Sequence, residues 1–231
     1  MCRRRAVFSG CLKTFYASKG NNKMFKNLAA DALGLSDIGK IIPPDQFHQT
    51  DIDDYIFHED NEKIYFVIKS KSDEYCFTNL AFIHLDGQSA VSKKRTLKRY
   101  PYRYYTISHV FIETAGTIDL DVELKFTLNK TELFSIDIDK KEIESVRDIY
   151  KALIAISEQC QTIKNHEWVL EKSFTSAVGM IDLKTLPEKA VMALPKLLNH
   201  TVSQLEDAYN QRLQDIRQYD FGAIFEHYLN H

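Results

Sequence analysis

Residues 89–105, SAVSKKRTLKRYPYRYY, gather six basic side chains and four tyrosines into seventeen positions. Lys93, Lys94, Arg95, Arg99 and Arg103 are groups that could hold phosphate through charge-assisted hydrogen bonds, and tyrosine rings among them could stack on nucleotide bases. A second cluster is the acidic run DIDDYIFHEDNEK, with Asp51, Asp53, Asp54, His58, Glu59 and Asp60. It lacks the glycine and closing glutamate of a calcium loop, so it reads as a solvated acidic loop. His84 and His109 fall in separate extended runs, and His227 and His231 flank YLN; none has zinc spacing. NHEWVLEK is not the HExxH pattern of a zinc protease. Neither a phosphate-cradling glycine loop nor a nucleophile elbow occurs. These residue types point to no catalytic residue, metal or cofactor, and the chain is not expected to be an enzyme. An active site in a cleft between subunits is the weakest of the readings.

Composition narrows the partners. A chain of 231 residues, 44% apolar and 27% charged, has room for one substantial globular domain and a smaller module. The net charge of -2 hides an asymmetry: residues 1–23 carry six basic residues and no acid, so the rest is strongly acidic. An acidic body repels polyanions at long range, and no nucleic-acid partner is expected. Cys2, Cys11, Cys76 and Cys160 are scattered, as suits a reducing compartment. No run approaches the roughly 18 consecutive apolar residues of a membrane span. The expected location is cytoplasmic, at most peripheral to a membrane. Residues 1–23 read as an extension, disordered or arising from an upstream start codon, with the domain opening at Met24.

The elements follow from periodicity. MFKNLAADALGL, from Met24, has helical spacing, and Pro43 and Pro44 then punctuate the chain. Residues 63–139 break into seven extended runs: KIYFVIKS, DEYCFTN, AFIHLD, TLKRYPYRYY, HVFIETA, TIDLDVELKFTL and ELFSIDID. In the sixth, Leu120, Val122, Leu124, Phe126 and Leu128 alternate with polar residues, so one face must be buried. One-sided strands in series must roll up, and a small barrel hides their apolar faces. KEIESVRDIYKALIAISEQ then switches to a 3.6-residue period, with an apolar stripe of Ile143, Val146, Ile149, Tyr150, Leu153 and Ile154 that suits a helix capping the barrel.

FTNLAFIHLD followed by ETAGTIDLDVELKF resembles the bacterial pleckstrin-homology (PH) domain family over residues 24–158, Glu113 to Lys125 being the specific part. The resemblance implies a mainly β fold with α-helix: a PH-like seven-stranded barrel of two near-orthogonal antiparallel sheets closed by a capping helix. Residues 159–231 resemble the YvbH-like helical oligomerisation region, here expected as a C-terminal helical hairpin. Within it, Ile163, Trp168, Val169, Leu170, Phe174, Val178 and Ile181 lie on or near one helix side, and Gly179 helps end that helix. Val191, Leu194, Leu198, Val202, Leu205, Tyr209 and Leu213 form a nearly unbroken seam on a second, started by Thr185 and Pro187 and bent at Pro195. A hairpin cannot hide such a seam alone, so it lies on the barrel or on copies of itself. The family's tendency to form closed rings implies a cyclic homo-oligomer, and residues before 158 are expected to fold without those that follow.

The basic stretch is then divided by its own strand. Alternation sends Tyr100, Tyr102 and Tyr104 into the barrel and Arg99, Arg103 and Tyr105 outward. Arg95, Arg99 and Arg103, with Lys93 or Lys94, supply about 1 kcal/mol each near anionic lipid, too little to anchor a monomer. Asp119, Asp121, Glu123, Asp137 and Asp139 make an acidic face with which these arginines are expected to pair, in the same subunit or the next. Lys93, Lys94, Arg95, Arg99, Arg103, Glu113, Asp119, Asp121 and Glu123 are the candidate binding residues. The expected function is a homo-oligomeric scaffold or adaptor that displays repeated polar patches to a protein partner. The alternative is multivalent contact with anionic lipid.

Overall fold

A computed structural model describes residues 38–87, 95–114, 121–179 and 188–229; the side chains of 177–178 and 188–199 lie outside that description. The expected N-terminal helix, Lys93, Lys94, Asp119, Leu120, Ile181, Thr185, Pro187 and His231 fall outside the described residues, as do the side chains of Val178, Val191, Leu194 and Leu198.

The seven expected strands form. They are β2 (Ile64–Lys69), β3 (Glu74–Thr78), β4 (Ala81–Gly87), β5 (Arg95–Pro101), β6 (Ile107–Thr114), β7 (Asp121–Leu128) and β8 (Glu132–Asp139). Alternation governs β7 and β8, where Val122 faces Ile138, Leu124 faces Ile136 and Phe126 faces Phe134, all buried. Between them Asn129 and Lys130 both take positive φ (50° and 64°), the double left-handed turn that matches strand twist in a tight hairpin.

A two-residue strand, β1 (Lys40–Ile41), completes an antiparallel sheet in the order β1-β2-β3-β4-β5, while β6-β7-β8 form a second. Gly39 joins the two sheets. Its N–H donates to Asp137 O at 2.8 Å, and Asp139 N–H donates to its carbonyl at 2.9 Å. A Cβ at Gly39 would lie 2.6 Å from Ile68 Cγ2, so only glycine allows this approach.

Inside the barrel, Phe82 is the hub, with ring centroids 4.9 Å from Phe77, 5.1 Å from Phe126, 4.9 Å from Phe134 and 5.8 Å from Tyr100. The strand after Arg99 departs from simple alternation. Pro101 ends β5, and its carbonyl accepts from Tyr104 N and Tyr105 N in a turn. Tyr100 and Tyr102 are buried as expected, but Tyr104 is 65% exposed and Tyr105 packs against the core instead.

The capping helix α1 (Ile143–Gly179) begins where the Asp139 carboxylate accepts from Lys141 N at 3.0 Å. Val146, Ile149, Leu153 and Ile156 close the barrel. The helix does not stop near 158: Cys160 and Ile163 still belong to the core, no proline or glycine interrupts, and it runs on to Gly179. The capping helix and the first hairpin helix are therefore one rod of about 55 Å at 1.5 Å per residue. Helix α2 (Glu188–Ile216) returns, continuous through Pro195, with Phe174 and Tyr209 rings 5.0 Å apart and Arg217 Nε 2.6 Å from Glu167 Oε1.

A third helix, α3 (Gly222–Leu229), carries the chain back to the barrel. Asp220 caps it, its carboxylate accepting from Gly222 N at 2.9 Å and from Asn79 Nδ2 at 2.8 Å. Phe221 N–H donates to Asn79 O at 2.9 Å, the Phe221 ring meets Tyr102 at 5.5 Å, and Phe225 stacks on Tyr65 at 5.1 Å. Both phenylalanines are fully buried, so residues after 158 supply part of the barrel core. Phe221→Ala and Phe225→Ala should each cost about 3–5 kcal/mol in urea unfolding.

Candidate functional site

The arginines of β5 face the outer side of the five-stranded sheet. Arg95, Leu97 and Arg99 lie opposite Gly87, Leu85 and Ile83, and a second core sits there: Ile52, Ile56, Val67, Cys76, Ala81, Ile83 and Leu85. What covers that core is the acidic run, folded into short 3-10 turns at Pro44–Gln49, Asp53–Tyr55 and His58–Asp60. Ile52 and Ile56 turn inward, and two buried carboxylates hold the strap from beneath.

Glu74 accepts from Ile52 N at 2.9 Å and meets Lys69 Nζ at 2.5 Å. Glu62, with a side chain 0% exposed, accepts from Phe57 N at 3.0 Å, Thr78 Oγ1 at 2.5 Å and Arg99 Nη2 at 2.8 Å. The Arg99 guanidinium also stacks 4.4 Å from the Phe57 ring centroid. Arg95 pairs with Asp51. The expected partners were the acids of β7 and β8, but those belong to the other sheet; the strap reaches the arginines first. The acidic run is thus a structural strap whose backbone amides at Ile52 and Phe57 donate to the buried carboxylates of Glu74 and Glu62, beside Lys69 and Arg99.

Arg103 does not share a surface with Arg95 and Arg99. The turn at Pro101 carries it beyond the strand to a groove lined with Asn210, Leu213, Gln214 and Arg217, where its guanidinium lies 5.6 Å from the Tyr104 ring. The candidate basic surface is therefore dispersed among the described residues.

The acidic candidates do converge. Register places Glu113 opposite Glu123 and Glu123 opposite Asp137, a row of carboxylates across β6, β7 and β8. Like charges directly opposite destabilise a sheet. Lys125 offsets this by bridging Glu113 and Glu123, the latter at 2.7 Å, and Ser135 Oγ donates to Glu123 at 3.0 Å. Hydrogen bonds to Glu113 and then Glu123 raise the Lys125 pKa above its usual value. Phe111 and Leu133 are exposed on the strands that flank β7.

A recess of about 580 Å³ runs beside β1, β2, α1 and α3, bordered by Phe47, Tyr65, Glu142, Asp148 and Glu226. Burial, followed by the hydrogen bond to Glu226 at 2.9 Å, pushes the Tyr65 pKa up to about 12, away from the range useful for proton transfer. Burial likewise drives Cys76 well up and Cys160 up to about 11, so both stay thiols at neutral pH.

Removing Arg99 leaves a buried carboxylate short of its cation. Arg99→Ala should destabilise the protein by about 3 kcal/mol at pH 7, measured by chemical unfolding, whereas Arg103→Ala should stay within about 0.5 kcal/mol.

Comparison with known proteins agrees with this architecture. The family model described as Bacterial PH domain matches residues 32–157. The chain is 52% identical over 213 residues to the uncharacterized protein YvbH of Bacillus subtilis (strain 168), covering 90% of this chain and 100% of that one. It is 36% identical over 97 residues to the uncharacterized protein YjqA of the same organism, covering 42% of this chain and 76% of that one. A crystal structure of a PH domain containing protein from Exiguobacterium sibiricum 255-15 superposes with a TM-score of 0.73 at 44% identity, covering 84% of this chain and all of the other. A barrel of five and three antiparallel strands closed by a helix, with a family match that ends inside that helix, places the chain in the bacterial PH domain family.

Proposed function

We propose that the protein is a non-enzymatic scaffold whose copies associate through the helical hairpin and present repeated PH-like barrels to a protein partner. The observation that carries the reading is the position of the single tryptophan. Trp168 is 60% exposed and its neighbour Val169 is 52% exposed, on the part of α1 that has left the barrel. Two large apolar side chains side by side in water are a cost to a monomer and an asset to an interface.

Val169 also lines a groove of about 590 Å³ between α1 and α2, with His166, Leu170, Ser173, Arg212, Asp215 and Ile216, while Trp168 faces solvent on another side of the helix. An apolar floor with one arginine and one aspartate at its edge is self-complementary in charge, which favours a second copy as occupant. Phe174 and Tyr209 pack on each other within the hairpin and serve to hold its arms together. Val202, Leu205 and Leu213 are half-buried and contribute on the α2 side. The row of carboxylates on β6, β7 and β8, with Phe111 and Leu133 beside it, is the surface each barrel would offer to a partner protein.

Lipid binding is the less favoured reading for a physical reason. Arg95 and Arg99 are already neutralised by Asp51 and Glu62, so drawing them to a headgroup means breaking those pairs first. No described helix is long and apolar enough to cross a membrane.

Light scattering on the full chain tests the scaffold. The parent should elute as an oligomer, and the double variant Trp168→Glu, Val169→Glu should shift toward monomer mass with unchanged circular dichroism. A monomeric parent, or a variant of parental mass, would overturn the reading. Flotation with phosphatidylserine vesicles at low salt should leave the parent unbound; salt-sensitive binding that Arg95→Glu abolishes would favour lipid instead.

A further inference from the structure

At one end of the barrel interior, β4 and the turn before β3 bring together Asp73, His84 and Asp86. One donor atom from each lies within 4.8 Å of the others. His84 and Asp86 are two residues apart on β4, hence on the same face as Phe82, the hub of the core. Asp73 reaches them from the β2–β3 turn, its carboxylate 3.0 Å from His84 Nε2.

The trio is built rather than incidental. His84 is only 9% exposed. Tyr75 stacks on its ring at 4.5 Å and 12°, and Phe134 meets it edge-on at 5.9 Å, so the imidazole has one orientation. Asp73 is fixed by Ser72 Oγ at 2.8 Å and by the backbone of Gly87. A second observation concerns the ring itself: buried Nδ1 has no hydrogen-bond partner. Buried imidazoles ordinarily satisfy both nitrogens, and the second bond fixes the tautomer. Here Nε2–H donates to the Asp73 carboxylate and the Nδ1 lone pair is left buried and unengaged, a donor that an ion can satisfy; a cation taken at Nε2 instead exchanges that hydrogen bond for a metal bond as the proton moves to Nδ1.

We propose that Asp73, His84 and Asp86 are the protein ligands of a divalent cation of the Zn²⁺ or Co²⁺ class. One imidazole with two carboxylates suits borderline metals better than Ca²⁺ or Mg²⁺, which favour all-oxygen sets. Donors bound to one ion at about 2.0–2.2 Å sit within about 4.4 Å of each other, so the observed spread needs only small side-chain adjustments. Lys98 is the competitor: its Nζ lies 3.9 Å from Asp86 Oδ2, and a cation must displace it. The second acidic trio, Asp121, Glu123 and Asp137, differs in having no imidazole and in Glu123 being bridged by Lys125 and Ser135. The site needs no self-association and stands apart from the scaffold reading.

Isothermal titration of the full chain with ZnCl₂ and CoCl₂ tests this. The parent should bind, and Asp86→Asn, a change at a half-exposed side chain that leaves the fold intact, should lose that event or weaken it about tenfold or more. Lys98→Met should tighten it several-fold by removing the competing ammonium. Asp137→Asn should not change it. The His84 ring resonances should shift on titration with Co²⁺ in the parent and stay in place in Asp86→Asn. No binding by the parent, or equal binding by Asp86→Asn with unmoved His84 resonances, would overturn the proposal and assign any residual affinity to other cysteines or histidines.

Discussion

Glu62 is a carboxylate in a place water does not reach, and a buried carboxylate persists only if donors surround it. Three elements meet that demand: the strap through Phe57 N, β3 through Thr78, and β5 through Arg99. The same requirement repeats at Glu74 with Ile52 N and Lys69. These two acids weld the strap to the sheet and give the sheet a second core on its outer face. They also decide what the basic strand can do, because the guanidinium most central to it is already engaged.

The other long-range constraint is the return of the chain terminus. Phe221 and Phe225 fill positions beside Tyr102 and Tyr65, so the end of the helical arm contributes side chains to the barrel core. The arm leaves the barrel on α1 and comes back on α3, which fixes the hairpin at its base, and Trp168, five residues beyond the core residue Ile163, faces solvent there. An arm with an exposed tryptophan near its base and a barrel that carries a row of carboxylates are the two surfaces through which the proposed scaffold would work.

Much of the fold was legible because alternation is local. Leu124 and Phe126 declare their face within β7 alone, and the switch at Ile143 to a helical period marks the cap. What escaped had no periodicity to read. β1 is two residues long, and its role rests on Gly39 having no Cβ. α3 is eight residues long and sits where a hairpin arm was expected to end. Asp220 followed by Phe221 and Phe225 at i, i+4 was the available signal for it. The strap was opaque for a different reason: Glu62 and Glu74 look like any solvated acids until the fold places Phe57 N, Ile52 N and Arg99 over them. Arg95 and Arg99 lie on the outer side of the sheet, as alternation implies, but their partners come from the strap rather than from β7 and β8. Tyr104 lies outside because strand alternation ends at Pro101, where the backbone turns.

Native-state hydrogen exchange at single-residue resolution addresses the central claim most directly. If Glu62 and Glu74 hold the strap, the amides of Phe57 and Ile52 should exchange as slowly as those of β3 and β4, and Glu62→Gln should speed Phe57 selectively. Exchange of both amides at the rate of exposed loop residues in the parent would show that the strap is not anchored and that Arg99 is free for another partner.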